Sequence, residues 1–430
     1  MLNRKEFLRQ MGSVSAGLAI TPMLSLKDRH ETLDKLADYN GTPSEIAANE
    51  DYWYTVQQAF TADRSLINLN NGGVSPAPDV VQDAMKRHLD YSNEAPVYTM
   101  WRILQPQKEA VRQRLARTFG TDTEEIAITR NASEGLQICQ LGMDLLEGDE
   151  VLTTTQDYPR MITTFKQRER REGIRLKQFP IPVPAEDPDE IVSLFEQNIT
   201  PRTKLILMSH MINITGQILP VKPVVEMARR RGIPVIVDGA HTFAHFDFNR
   251  NDLGCDYYAT SLHKWLFAPH GTGMLYVKKD RIRDLWPMMA APESLDSDIR
   301  KFEEIGTHPL ANFISIAEAL TFHEGIGPAR KGARMKYLSD YWVEQLIDDD
   351  RFVLHTSRNP EYACGIVTAQ LKGIDCGELG NHLWRKYRII VTPIKHPEFE
   401  GIRVTPNVYT TLKELDRFAD AMKDVLVNGI

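Results

Sequence analysis

Apolar residues change their spacing along this chain in two alternating ways. Positions 126–129, 150–153, 203–208 and 234–237 are short, nearly continuous apolar runs, whereas 135–146, 161–172 and 221–231 place apolar residues three and four apart among charged ones. The first pattern predicts strands buried on both faces, and the second predicts amphipathic helices that cover them. Repeated strand-then-helix order makes the middle of the chain an α/β fold with a mainly parallel sheet. Ligands of such sheets sit beyond the carboxyl ends of the strands. Ahead of this region, 65–73 reads as a short strand stopped by Gly72 and Gly73, with helices over 78–91 and 106–119. Past about residue 320 the order becomes helix (329–347), strand (365–371), helix (377–387), two short strands (389–391 and 402–404) and a last helix (412–427). This predicts a smaller α+β lobe packed on the first. The expected division is an export signal over 1–26, a polar leader over 27–50, a large domain over 51–320 and a small C-terminal domain over 321–430.

Composition excludes several classes. With 430 residues, 42% hydrophobic and 25% charged, the chain is an ordinary globular protein, too long for a single binding module. Lys and Arg number 51 against 58 Asp and Glu, with the signs interspersed, so nucleic acid is excluded as the expected partner. Cys139, Cys255, Cys364 and Cys376 have no CxxC spacing, which predicts reduced or buried thiols and neither a zinc site nor a disulfide framework.

The first 26 residues carry a basic start (Arg4, Lys5, Arg9), a Gly/Ser/Ala-containing middle and no acid after Glu6, the organisation of an export signal. The run from Asn3 to Arg9 resembles the twin-arginine motif, with Lys5 in the place of the second arginine. Its apolar part is too short for a membrane span. The expected location is periplasmic or exported; the alternative is a cytoplasmic protein with an amphipathic tail.

Four constellations lie at turns after strands. In Thr129-Arg130-Asn131-Ala132-Ser133-Glu134-Gly135, small and hydroxyl residues open a helix, which suits a phosphate at the positive end of the helix dipole or an ordinary N-cap. Asp238, in Val237-Asp238-Gly239-Ala240-His241, ends a strand expected at the centre of the sheet. A carboxylate buried there needs a cation, a metal or a protonated ring nitrogen. His241 and His245 are spaced as metal ligands can be, but no HExxH or neighbouring acid accompanies them, so His245 reads as structural and no metal is expected. Lys264, in Ser261-Leu262-His263-Lys264-Trp265, sits among aromatic and small residues, where desolvation lowers its pKa and makes its amine a nucleophile for a Schiff base. Arg403, in Gly401-Ile402-Arg403-Val404-Thr405, alternates away from the apolar face, where its guanidinium can hold a carboxylate bidentately or simply be solvated.

Together TRNASEG, VDGAH, SLHKW with GTGMLYV, GTHP and RVTPNVYTT, in that order from about Tyr52 to Tyr409, resemble the class V aminotransferase family of pyridoxal-phosphate enzymes. That family includes cysteine desulfurases, and the resemblance is closest to its isopenicillin N epimerase-like branch. It implies the aspartate aminotransferase-like fold (fold type I) and pyridoxal 5′-phosphate as cofactor. Lys264 matches the lysine that holds the cofactor, and Asp238 the acid that pairs with the pyridine nitrogen. His241 matches a side chain near the ring 3-hydroxyl, Asn213 a polar residue facing that hydroxyl or the substrate, and Tyr158 the aromatic residue that stacks on the ring. Ala132, Ser133, Ser261 and His263 match phosphate contacts. Thr307, in Gly306-Thr307-His308-Pro309, matches the segment by which one subunit reaches the phosphate of the other, which implies a homodimer with shared active sites. Arg403 matches the arginine for the substrate carboxylate, and Asn71 and Gly72 match the loop lining the substrate side.

The implied chemistry is α-proton abstraction from an amino acid or small peptide-like substrate by Lys264, followed by transamination or epimerisation. Alternatives are a β-elimination lyase or a non-catalytic cofactor-binding relative. Tyr158, His210 or the Asn71 loop are the candidates for a second acid in epimerisation. Cysteine desulfuration is disfavoured, because 391–400, where desulfurases carry a nucleophilic cysteine, has none.

Overall fold

The computed structural model describes Leu36 and residues 39–430, so the export-signal segment 1–26 lies outside the described residues. The chain enters through two short helices, α1 (Pro43–Ala47) and α2 (Glu50–Gln57). Thr42 and Glu45 cap α1 reciprocally and Asn49 caps α2, so a stretch that reads as polar leader is folded. Its Ile46, with Tyr52 and Trp53 directly after it, packs with Trp265, Phe267 and Met335 from much later in the chain. Arg334, fully buried, donates to the Ala47 carbonyl at 2.8 Å and to Glu50 at 3.2 Å. Strand β1 (Ile67–Asn68) follows, and then helices α3 (Asp79–Glu94) and α4 (Gln105–Phe119).

The central sheet contains β2 (Ile126–Thr129), β3 (Glu150–Thr154), β4 (Arg175–Phe179), β5 (Thr203–Ser209), β6 (Val235–Asp238), β7 (Tyr257–Ser261) and β8 (Gly273–Val277). Its order is β2-β8-β7-β6-β5-β3-β4, parallel throughout except β8, which runs antiparallel to β2 and β7. Side chains alternate between two separate cores. Ile206, Met208, Val235 and Val237 enter one; Leu205, Leu207 and Ile236 enter the other. Both faces being covered is why these strands read as unbroken apolar runs. The covering helices include α5 (Ala132–Gly142), α6 (Pro159–Glu172), α7 (Pro188–Asn198) and α8 (Val221–Arg229). Strand β4 and helix α7 were not expected from the pattern. β4 is the edge strand, and its Arg-Leu-Lys-Gln-Phe sequence is exposed or half-buried except at Phe179.

Helices α9 (Ile316–Ile326) and α10 (Pro328–Val343) lead into a second sheet of β9 (Phe352–Leu354), β10 (Val367–Leu371), β12 (Thr392–Lys395) and β13 (Glu400–Val404), all antiparallel in the order β12-β13-β10-β9. Strand β11 (Ile389–Ile390) pairs in parallel with β1, so the first strand among the described residues belongs to the C-terminal lobe. Ile67 and Leu69 join Trp342, Ile402, Val404 and Phe418 in the core of that lobe, which α11 (Leu412–Asn428) completes. An α/β layer with a mainly parallel sheet and a smaller α+β lobe is the expected architecture, and the structure has it, the smaller sheet being antiparallel. Among the described residues no helix is long and apolar enough to cross a membrane.

Candidate active site

A cavity of about 470 Å³ opens at the carboxyl ends of β5, β6 and β7, between them and the small lobe. Gly72, Ala132, Ser133, Tyr158, Asn213, Asp238, His241, Ser261, His263, Lys264 and Arg403 all line it. Residues separated by more than three hundred positions thus converge on one volume.

Asp238 ends β6, buried, with one carboxylate oxygen accepting from the Ala240 N–H at 2.9 Å. Burial pushes its pKa up to about 6, against the Ala240 hydrogen bond and the charge of Lys264, and nearby Asp157 adds to the rise. Among the described residues no cation lies within ion-pairing distance of it. Lys264 Nζ stands 3.1 Å from His241 Nε2. Burial lowers the lysine to about 8; Asp238 opposes the shift and Arg403 reinforces it. His241 is driven well down by burial and by the Lys264 charge, so it is neutral. With Nε2 accepting from the amine, its proton is on Nδ1, a buried atom that meets no partner among the described residues.

His245 fixes this turn from behind. The Gly365 N–H can only donate, so His245 Nε2 accepts it at 3.0 Å, and Nδ1 carries the proton given to the His241 carbonyl at 2.8 Å. Its ring stacks on Trp265 at 3.8 Å, which locks the residue next to Lys264. Gly239, between Asp238 and the histidines, permits a close approach: a Cβ there would fall 1.9 Å from the Tyr258 ring.

The Asn131 turn lies at the N-terminus of α5, with Asn131 Oδ1 accepting from the Glu134 N–H at 2.9 Å and Ser261 Oγ accepting from the Ala132 N–H at 3.0 Å. Gly273 of β8 passes so near that a Cβ would lie 2.5 Å from the Asn131 backbone. The His263 Nδ1 proton goes to the Thr272 carbonyl at 3.1 Å, and burial lowers its pKa to about 4.

Arg403, on β13, is held by neutral oxygens only: the Asn213 carbonyl at 2.9 Å, Asn70 Oδ1 at 3.0 Å and Thr392 at 3.5 Å. Its Nε and the Oδ1 of Asn213 are buried without a partner among the described residues. Burial lowers this guanidinium to about 10, and the Tyr158 hydroxyl is its opposing electrostatic neighbour. A desolvated cation with no carboxylate is an anion site.

Three expectations change. Asn71 does not line the cavity: fully buried, it donates to the Asn68 and Thr405 carbonyls and accepts from the Tyr409 hydroxyl, so it holds the turn, and its neighbour Asn70 is the residue that reaches Arg403. His210 points into the core against Phe246 and Phe248, with burial lowering it to about 3, so it is no candidate acid. Thr307 is exposed and away from the cavity within one chain.

Sequence reasoning missed Asp157 and Arg160. Asp157, buried, accepts from Thr153, from Thr154 N–H and Oγ, and from Ser209 N–H and Oγ, tying the ends of β3 and β5 together directly before Tyr158. Arg160 lines the cavity mouth at the start of α6. The only sequence signal for either is Pro159, which marks the helix start. None of the four cysteines lines the cavity; all are buried.

The family model for class V aminotransferases matches residues 67–416. Isopenicillin N epimerase of Streptomyces clavuligerus is 30% identical over 86% of this chain and 97% of its own. A probable cysteine desulfurase of Halalkalibacterium halodurans is 26% identical over 72% of this chain and 78% of its own. Among solved structures, a mutant of C-DES with glycine covalently linked to its PLP cofactor superposes with a TM-score of 0.77 at 24% identity, covering 86% of this chain and 99% of that one. The chain belongs to the class V aminotransferase family.

Because burial sets Lys264 near 8, its amine in the cofactor-free protein should become reactive as pH rises through about 8, where an ordinary lysine responds near 10.5. Labelling with a small acylating reagent from pH 6 to 11, read by peptide mass spectrometry, is expected to show this midpoint; a midpoint at the ordinary value would contradict the desolvated environment.

Proposed function

We propose that this chain is a pyridoxal 5′-phosphate enzyme that moves the α-proton of an amino acid or small peptide-like substrate, and that its reaction is epimerisation at that carbon. The observation that carries the reading is the half-buried Lys264, its amine 3.1 Å from His241 and in the field of the unpaired Asp238 carboxylate. The residues present fit the cofactor. Asp238 offers a carboxylate to a protonated ring nitrogen, and His241 Nδ1 and Asn213 Oδ1 are buried polar atoms that a ligand group would satisfy. The turn at Ala132 and Ser133, with Ser261, offers donors to a phosphate at a helix N-terminus. His263 keeps one proton on Thr272, so it reaches a phosphate only through Nε2, and as a donor only when that atom is protonated too. Tyr158 offers its ring at the cavity wall.

When bound, the cofactor supplies a ring that takes up the electron pair left when a bond to the α-carbon breaks. Arg403 orients the substrate through its carboxylate. Lys264 Nζ, at about 8, accepts the α-proton near neutral pH. Epimerisation needs a second proton carrier; His210 points into the core and the Asn71 loop brings only Gly72 and Gly73 to the cavity, so Tyr158 is the one left of the three candidates. It approaches from α6, whereas Lys264 approaches from the end of β7. The isopenicillin N epimerase relatives support epimerisation over transamination. Burial of all four thiols, and the pinning of the hairpin after β12 by Glu398 on Gln156 (2.8 Å) and His396 on the Thr155 carbonyl (3.0 Å), support placing cysteine desulfuration last.

A homodimer with shared sites is part of the proposal. Val97, Tyr98 and Trp101 are large exposed apolar side chains, and the Trp101 ring lies 6.2 Å from His308, beside the exposed Thr307. Light scattering should give twice the 49.0 kDa chain mass; the mass of one chain would sink the shared-site reading. Export through segment 1–26 is likewise proposed, its mark being a shortened chain in the periplasmic fraction; a full-length chain found only in the cytoplasm would overturn it.

Incubation with single-enantiomer amino acids in deuterated water should give α-deuteration and loss of optical activity without keto acid. Keto acid would make the protein an aminotransferase, and no exchange with any amino acid would sink the proton-moving reading. Tyr158→Phe should keep exchange into substrate but slow the loss of optical activity about 100-fold.

A further inference from the structure

Lys264 does not sit on a strand. It lies in the turn between β7 and β8, so the placement of its amine depends on how that turn is held. The turn closes where the Ala268 N–H donates to the Leu262 carbonyl at 3.1 Å, and within it Phe267 adopts the left-handed region at φ 65°. A bulky aromatic residue is strained there and stays only where its surroundings hold it. The His245 ring, stacked on Trp265, is one such hold. Lys331, in the first turn of α10, is another. Its Nζ donates to the Trp265 carbonyl, directly after Lys264, and stands 3.6 Å from the centre of the Phe267 ring.

Fold stability alone gives no reason for an amine at this place. Lys331 is fully buried and makes no ion pair with any described residue. Burial drives its pKa well down, opposed only by the Cys364 thiol, which burial in turn pushes up to about 12 and so keeps protonated. The neighbouring His245 and His323 are themselves held neutral by burial. The amine also stands at the positive end of its own helix, where a cation is disfavoured. A methionine of similar length would fill the space without the desolvation cost.

We infer that Lys331 is a positioning residue for Lys264: by gripping the Trp265 carbonyl and the Phe267 ring it holds the strained turn that presents the Lys264 amine to His241 and the cavity. Folding stability is given up for that placement. The effect on rate rests on the proton-moving reading above, whereas the placement of the amine is read without any substrate.

The test compares the wild type with Lys331→Met, which removes the donor and the charge, and Lys331→Gln, which keeps a neutral donor. In the cofactor-free chain the midpoint for acylation of Lys264 should rise from about 8 by about one pH unit in Lys331→Met, because a relaxed turn admits water to the amine, and by less in Lys331→Gln. The melting temperature of Lys331→Met should equal or exceed that of the wild type. With cofactor loaded, α-deuteration at saturating amino acid should slow about tenfold in Lys331→Met with KM nearly unchanged, and Lys331→Gln should recover part of the rate. An unmoved acylation midpoint in Lys331→Met would overturn the assignment. So would a lower melting temperature in both variants with a loss of rate that Lys331→Gln does not recover, the behaviour of a scaffold residue. If the wild type exchanges with no amino acid, the proton-moving reading falls, and the acylation midpoint still decides for or against Lys331.

Discussion

A carboxylate and an amine held out of water at the ends of adjacent strands set the terms for everything around them. Asp238 has a single hydrogen bond from the Ala240 N–H and no ion pair among the described residues, and burial raises it to about 6 while lowering Lys264 to about 8. Each shift is the mark of a charge kept where it is poorly solvated. The surroundings are built to tolerate this without neutralising it. Asp157, close enough to raise Asp238 further, takes five hydrogen bonds from neutral donors, so its charge is satisfied by dipoles and leaves the Lys264 amine for chemistry. His245 and Trp265 stack to hold both sides of the pair in register with the small lobe through Gly365. In the proposed reading a bound, charged ring relieves this desolvation at the strand terminus.

The two lobes meet through the same logic. Arg403 crosses from the small sheet to the Asn213 carbonyl and Asn70, and the hairpin after β12 reaches the turn before Tyr158 through His396 and Glu398. These contacts use neutral acceptors or the outer side of the turn, so the inward charge of Arg403 stays available.

Much of the fold was legible because burial on both faces leaves an unmistakable pattern. Residues 126–129 were read as a strand and are β2, and 203–208 fall within β5. What escaped was structure whose cause is long-range. β4 is an edge strand with polar residues, α7 follows it, and α1 is stabilised by caps and by Arg334 nearly three hundred residues away. The direction of β8 depends on which neighbours it meets and has no local signature. At the site, Asp238 and Lys264 were legible because each is anomalous for its place in the chain. Asn71 and Asn70 differ only in which way a turn points them, and His210 looks like its polar neighbours until the ring is seen against Phe246 and Phe248. Arg160 carries no local pattern at all; only the shared cavity reveals it.

The central claim is that Lys264 is the amine on which the chemistry turns, and borohydride reduction of the cofactor-loaded protein followed by peptide mapping tests it most directly. Reduction fixes the cofactor to whichever amine carries it. The account predicts a single phosphopyridoxyl-modified peptide containing Lys264. Modification of another lysine, or of none, would contradict it.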